Sequence, residues 1–225
     1  MDDATSNTTS DTAGNNSALV FPSAALRAQA ERGSARAYAG RVEQGFPDTV
    51  TPELAGFIAE RDTAFLATVS EAGAPYIQHR GGPKGFIKVI DAKTLGFADY
   101  AGNRQYITLG NLEGNDRAFL FLLDFATRTR IKVWGRAKVV ENDDALIHKL
   151  FDAGYRARPQ RAILFTVEAW DVNCSRHITP RFTQPEILEA TAALQERIAA
   201  VEAENAELRT KLLQMSGAAG ERSPS

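Results

Sequence analysis

The spacing of hydrophobic positions changes period along this chain. From Ser23 to Glu43, small residues with Arg and Glu predict one or two modest helices. Thr51-Pro52-Glu53-Leu54 starts a clearer one, because Thr51 can cap and Pro52 suits the first helical position. Leu54, Phe57 and Ile58 give that helix an apolar face, ending near Asp62. Short runs then take over: 63–70, 74–79, 85–91, 94–99, 117–124, 130–141 and 161–172 all read as strands. Turn residues such as Glu71-Ala72-Gly73 and Asp91-Ala92-Lys93 separate most of them. Helical spacing returns briefly over 143–153, with Leu146, Leu150 and Phe151 on one side. Six or seven short strands with few helical insertions favour a small closed antiparallel barrel over a parallel sheet.

A third period governs the last forty residues. Thr183-Gln184-Pro185-Glu186 is a capping box. After it Ile187, Leu194, Val201 and Leu208 fall at heptad position d, and Thr191, Ile198, Asn205 and Leu212 at a. Arg197 at g would meet Glu202 at e of a parallel partner, and Glu204 would meet Arg209. The pattern predicts a helix over 183–214 that forms a parallel dimeric coiled coil; the competing expectation is an amphipathic helix packed on its own domain. Polar tracts at 1–18 and 215–225 are expected to be disordered tails, leaving 19–182 as the main domain.

Composition narrows the function classes. The chain has 225 residues, 44% hydrophobic and 24% charged, with a formal net charge of −2, so no global charge steers it to nucleic acid or an anionic membrane. Arg130, Lys132, Trp134, Arg136 and Lys138 alternate with apolar residues, as the solvated face of a half-buried strand does. A single cysteine, Cys174, and the lack of any apolar stretch of membrane-spanning length predict a cytoplasmic protein. Cys174 and His177 alone are too few ligands for a metal, and none is expected.

Candidate chemistry gathers in one place. Gln78-His79-Arg80-Gly81-Gly82-Pro83-Lys84-Gly85-Phe86 is bent and basic, but lacks the spacing of a nucleotide-triphosphate loop or a dinucleotide fingerprint. Between His79 and Arg104 lie five Lys/Arg (Arg80, Lys84, Lys88, Lys93, Arg104) against two carboxylates, Asp91 and Asp99. Arginine with a short Asn/Gln-bearing turn, Asn103-Arg104-Gln105, suits a phosphate monoester.

The stretch from Phe57 to about Gly135 resembles the FMN-binding split barrels related to pyridoxamine 5′-phosphate oxidase. Phe65-Leu66-Ala67-Thr68-Val69, Gly73-Ala74-Pro75-Tyr76, Phe86-Ile87-Lys88-Val89-Ile90-Asp91, 97–105 and Ile131-Lys132-Val133-Trp134-Gly135 carry the likeness. The resemblance implies a mainly β (α+β) fold: a six-stranded antiparallel split barrel with flanking helices, here with a long C-terminal helix added. It also implies a homodimer with FMN at the subunit interface and a small-molecule electron donor or acceptor. Hydride would pass to or from flavin N5. Lys88 and Arg104 match family FMN contacts, with Asn103 and Gln105 flanking, and Asp99 falls beside the ring; Arg80 is assigned to the phosphate on charge alone. The oxidase's Arg-x-His-x-Arg signature is replaced by 173–181, so the vitamer reaction is not implied. There His177 and Arg181 are expected to complete a substrate or partner-subunit cleft. Two alternatives stay open: a flavin-binding redox sensor or carrier without turnover, and the same barrel holding heme or a deazaflavin.

Overall fold

The computed structural model describes residues 15–173 and 175–220, with the backbone alone at 173 and 215–220. Cys174 and most of the two expected tails, 1–14 and 221–225, lie outside the described residues. The chain divides into two compact units, Met1–Ile178 and Thr179–Ser225.

The first unit opens with helices α1 (Ser17–Val20), α2 (Ser23–Glu31), α3 (Ala35–Gln44) and α4 (Pro52–Ala59). Thr51 caps α4 as the sequence predicts, its side chain accepting from the Leu54 amide. Then follow β1 (Thr63–Val69), β2 (Pro75–Gly81), β3 (Lys88–Val89), β4 (Thr94–Tyr100), α5 (Ile107–Gly114), β5 (Arg117–Asp124), β6 (Thr129–Val140), α6 (Asp144–Leu150) and β7 (Pro159–Asn173). The strands form one antiparallel sheet in the order β2-β1-β5-β6-β7-β4-β3.

Alternation decides which side chains enter the core. Ala64 and Leu66 of β1, Leu120 and Leu122 of β5 and Ile131 and Val133 of β6 point inward. They share one cluster with Leu95 and Phe97 of β4, Phe165 and Val167 of β7, and Leu54 and Ile58 of α4. Strands from opposite ends of the order meet in that cluster, so the sheet is rolled around a single interior. No ladder joins β2 to β3 or β4 among the described residues, and the roll stays split along that seam.

Two expectations need correction. The sheet has seven strands, not six, and the strand expected over 85–91 shrinks to Lys88–Val89. Gly85 turns the chain at φ +71°, and Phe86 and Ile87 are both buried in succession, which an alternating strand cannot achieve. The helix α5 has no counterpart among the expected elements.

The outer face of β2, β1, β5 and β6 is rich in rings. Phe65 meets His79 and Phe121 at 5.9 and 6.5 Å, and Phe119 meets Trp134 at 5.1 Å between centroids. Ile77 beside them is 61% exposed.

The second unit is dominated by α7 (Gln184–Gly220). Its first turn is the anticipated capping box: the Thr183 amide and hydroxyl donate to Glu186 Oε2 at 2.7 and 2.8 Å. No helix among the described residues is long and apolar enough to cross a membrane.

Candidate anion-binding cleft

Four segments converge on the open seam of the barrel. Alternation on β2 sets Tyr76, Gln78 and Arg80 on one face, and β4 delivers Asp99 and Tyr100 where a bulge interrupts its pairing with β7. The turn from Gly102 to Tyr106 and the first residues of α5 form one wall, and Gln160 and Arg161 at the start of β7 form another.

An ion pair spans the seam. Arg80 Nη1 donates to Asp99 Oδ1, joining β2 to β4, which share no backbone ladder. Arg80 Nη2 donates to Gln78 Oε1 and Thr108 Oγ1, each at 3.0 Å, and the Thr108 hydroxyl donates to the same Gln78 oxygen at 3.0 Å. This triad ties the first turn of α5 to β2. Asn111 ties the second turn to β1, its Nδ2 donating to Thr68 Oγ1 at 2.9 Å in a buried setting.

Asp99 serves a second arginine as well. Arg161 Nε lies 3.7 Å from Asp99 Oδ2, and Arg161 Nη1 lies 3.5 Å from Glu141 Oε1. The Arg161 side chain is 9% exposed and its guanidinium sits 5.3 Å from the Tyr106 ring centre. Both Arg80 Nε and Arg161 Nε are buried with no hydrogen-bond partner. The cleft is therefore lined by three arginines (Arg80, Arg104, Arg161) and one carboxylate, Asp99. Burial, then the neighbouring Tyr155 and Asp152, pushes the Tyr100 phenol up, which keeps it a neutral hydrogen-bonding group at this wall.

Backbone donors add to the positive side. Arg104 and Tyr106 hold left-handed conformations, φ +60° and +55°, uncommon for residues with a side chain. Tyr106 occupies the N-cap of α5 but makes no side-chain cap bond, and no acidic residue stands in the first turn. The first residues of α5 thus line the cleft, and their helix start has neither a side-chain cap nor an acidic residue. Asn103 Oδ1 accepts from the Gln105 amide at 3.3 Å and shapes the turn.

Of the residues singled out in the sequence, Arg80, Asp99, Asn103, Arg104 and Gln105 come together here. Lys88 does not line the cleft; it is half-buried on β3, opposite Gly96. His177 is exposed, in a left-handed turn beyond β7. His177 is not in the lining of the cleft of its own chain. Arg181 belongs to the second unit.

The glycine-rich loop proves to be a packing device. A Cβ on Gly82 would lie 2.6 Å from Phe86 Cβ, and one on Gly85 would lie 3.0 Å from the Ala59 carbonyl oxygen. The Gly82 and Gly85 amides already donate to Asp62 and Arg61 carbonyls at 3.1 and 2.9 Å. Lys84 is exposed and 3.4 Å from Glu60. Of that stretch Gln78 and Arg80, both on β2, reach the cleft. Sequence reasoning missed Gln78, Thr108, Gln160 and Arg161, all of which line it.

The model of the family described as pyridoxamine 5′-phosphate oxidase matches residues 50–174, more than half of the chain. No curated protein matches. Among solved structures, tagged HupZ of Group A Streptococcus is similar at 20% identity over 59% of this chain and 98% of its own, with a TM-score of 0.45. A putative pyridoxamine 5′-phosphate oxidase of Lactobacillus delbrueckii is 21% identical over 56% of this chain and 95% of its own, TM-score 0.44. An FMN-binding protein of Syntrophomonas wolfei is 11% identical over 66% of this chain and 97% of its own, TM-score 0.42.

Proposed function

The chain belongs to the pyridoxamine 5′-phosphate oxidase family, and from that premise we propose that it is a cytoplasmic FMN-dependent oxidoreductase that works as a homodimer. The observation that carries this reading is the charge imbalance at the seam: three arginines and an uncapped helix start around a single carboxylate. A phosphate dianion satisfies such a donor set better than any neutral group. The orphaned Nε atoms of Arg80 and Arg161 supply two further N–H groups that an anionic or carbonyl ligand would relieve.

The residues fit FMN in defined parts. Arg104, Gln105 and the amides opening α5 would hold the phosphate, with Asn103 fixing their turn. Arg80 and Arg161, steadied by Asp99, would hold the inner polar edge of the ligand. Lys88 has no part in this set. FMN, when bound, supplies hydride exchange at ring N5 with a small organic donor or acceptor. The protein's task is to bind, orient and shield that ring.

Size and surface support dimerisation. The cleft encloses only about 60 Å³, whereas pockets that bury a ligand of this size measure roughly 300–1,000 Å³. On this reading one chain offers half a site, and a second would supply the remaining wall. The ring-rich outer face with exposed Ile77 suits a second copy. His177, which does not line its own cleft, would then serve the partner's, and Arg181 is assigned there with it.

Absorption of the purified protein tests the cofactor. Oxidised-flavin bands, or their appearance on adding FMN, are expected; a protein that stays colourless and takes up no FMN overturns the proposal. A Soret band would place heme in the cleft instead. Rapid, repeated bleaching by a reduced nicotinamide nucleotide would support turnover, whereas slow single reduction would indicate a sensor or carrier.

A further inference from the structure

A separate surface lies on α7 and owes nothing to the cofactor. The helix runs unbroken for 37 residues, and its apolar stripe is open to water. Ile187, Leu194, Ile198, Val201 and Leu208 are between 38% and 61% exposed. These residues follow the three-and-four spacing of a two-stranded supercoil seam.

We propose that α7 pairs with α7 of a second copy as a parallel, in-register coiled coil. Charge chooses the orientation. A parallel pair sets Arg197 against Glu202 and Glu204 against Arg209, each contact made twice by symmetry. The antiparallel register that sets Arg197 against Glu204 leaves Glu202 facing Gln195 and Arg209 facing Leu188, which halves the number of charge pairs. Sliding it by one heptad sets Glu202 and Glu204 each against its own copy, a like-charge contact. Asn205 chooses the register. Its Nδ2 donates to the Val201 carbonyl at 3.0 Å, leaving its amide oxygen and second N–H for another partner. In the parallel pair that partner is the other Asn205; those two antiparallel registers would seat it against Leu194 or Val201, whose side chains accept no hydrogen bond. Ile198 at a with Leu194 and Leu208 at d favours two strands. Thr191 already returns its hydroxyl to the Ile187 carbonyl at 2.7 Å, so it enters the seam without an unmet donor.

Disulfide trapping in the full-length chain separates the possible partners. Cys174→Ser removes the only native thiol, and Thr191→Cys or Leu208→Cys is then introduced singly. Parallel, in-register pairing brings each new thiol to its own copy within disulfide reach, so both variants are expected to form covalent dimers under mild oxidation. Ala203→Cys, on the outer face at f, is expected to remain monomeric on a non-reducing gel. An antiparallel pair cannot trap both positions. It would instead join a Thr191→Cys chain to a Leu208→Cys chain when the two variants are mixed, with neither linking to itself, and that pattern overturns the proposal. Failure of both variants to cross-link also overturns it, by showing that the stripe is covered by something else, such as the chain's own barrel. Flavin content is not part of this readout, so loss of the cofactor assignment leaves the result intact.

Discussion

The chain carries two clusters of basic side chains, and they differ in what faces them. On β6, Arg136 is met by two carboxylates, Asp116 and Glu168, each at 2.7 Å, while Lys132 lies 3.7 Å from Asp171 and 5.0 Å from the Trp134 ring. Those two side chains are settled internally. At the seam Arg80 and Arg161 share Asp99, Arg161 also reaches Glu141 at 3.5 Å, and Arg104 adds a third positive charge to the lining. What marks a site is positive charge left over after pairing, rather than the number of lysines and arginines. The β6 stripe is the denser run in sequence, yet its Lys132 and Arg136 already face carboxylates.

Removing the shared carboxylate strikes hardest. Asp99→Asn leaves Arg80, 14% exposed, without its carboxylate partner, while Arg161, 9% exposed, keeps only Glu141 at 3.5 Å. It should lower the stability of the cofactor-free protein by roughly 3 kcal/mol, the low end for orphaning a buried charge. Inorganic phosphate should restore more stability to this variant than it gives the parent. Chemical denaturation with and without phosphate reads both effects, and equal protection of the two proteins would mean that the anion binds elsewhere.

Next come the arginines themselves. Arg104→Ala and Arg161→Ala each remove a charge-assisted contact worth roughly 1.5–3 kcal/mol, so FMN should bind about tenfold or more weakly in each. Flavin fluorescence titration measures it. Lys88→Ala should leave that affinity unchanged, because Lys88 does not line the cleft; a comparable loss there would move the phosphate toward β3.

The pair Arg61–Asp124 sharpens the contrast, being similarly buried but one-to-one, at 2.8 Å and 14% and 13% exposure. Burial raises the Asp124 carboxyl, but the Thr127 amide and Arg61 outweigh it and hold the group below its usual 3.8. A carboxylate with a depressed folded value stabilises the fold fully above its unfolded value, and that contribution fades as pH falls from there through the lower folded value. Asp124→Asn should therefore flatten the loss of stability below about pH 4, the ordinary carboxylate range. Thermal melts across an acid series check this; an unchanged slope would show that other groups drive acid unfolding.

Much of this is readable in the sequence, and the failures share a cause. β1, β5 and β6 announce themselves because their buried residues alternate and are apolar. α5 stays hidden because its buried face is Thr108, Asn111 and Leu112, correctly spaced for a helix but mostly polar. Its start carries no capping side chain, and Gly110 weakens its propensity. The cleft divides along the same line. Asp99, Asn103, Arg104 and Gln105 lie close together in sequence and show as a local basic excess with a turn. Arg161 arrives from β7, far along the chain, and reads as the polar start of a strand. Gln78 and Thr108 are neutral, and nothing in sequence says that they share a hydrogen bond. The glycines of 81–85 mislead for a different reason, since a loop that packs against a helix and one that cradles phosphate need the same residue.

The smallest effect belongs to Arg136, which two carboxylates already meet. Hydrogen bonds that Arg136 donates to Asp116 and Glu168 push its guanidinium up, so it carries its charge at every accessible pH. Its side chain is nonetheless 44% exposed, and water screens much of what those contacts gain. Arg136→Ala should leave FMN affinity unchanged and shift the denaturation midpoint little, while raising the mobility of its neighbours Asp116 and Glu168. The measurement that decides is the affinity: if Arg136→Ala weakened FMN binding as much as Arg161→Ala, pairing would not predict which arginines meet an anion, and the seam would lose its claim to be the site.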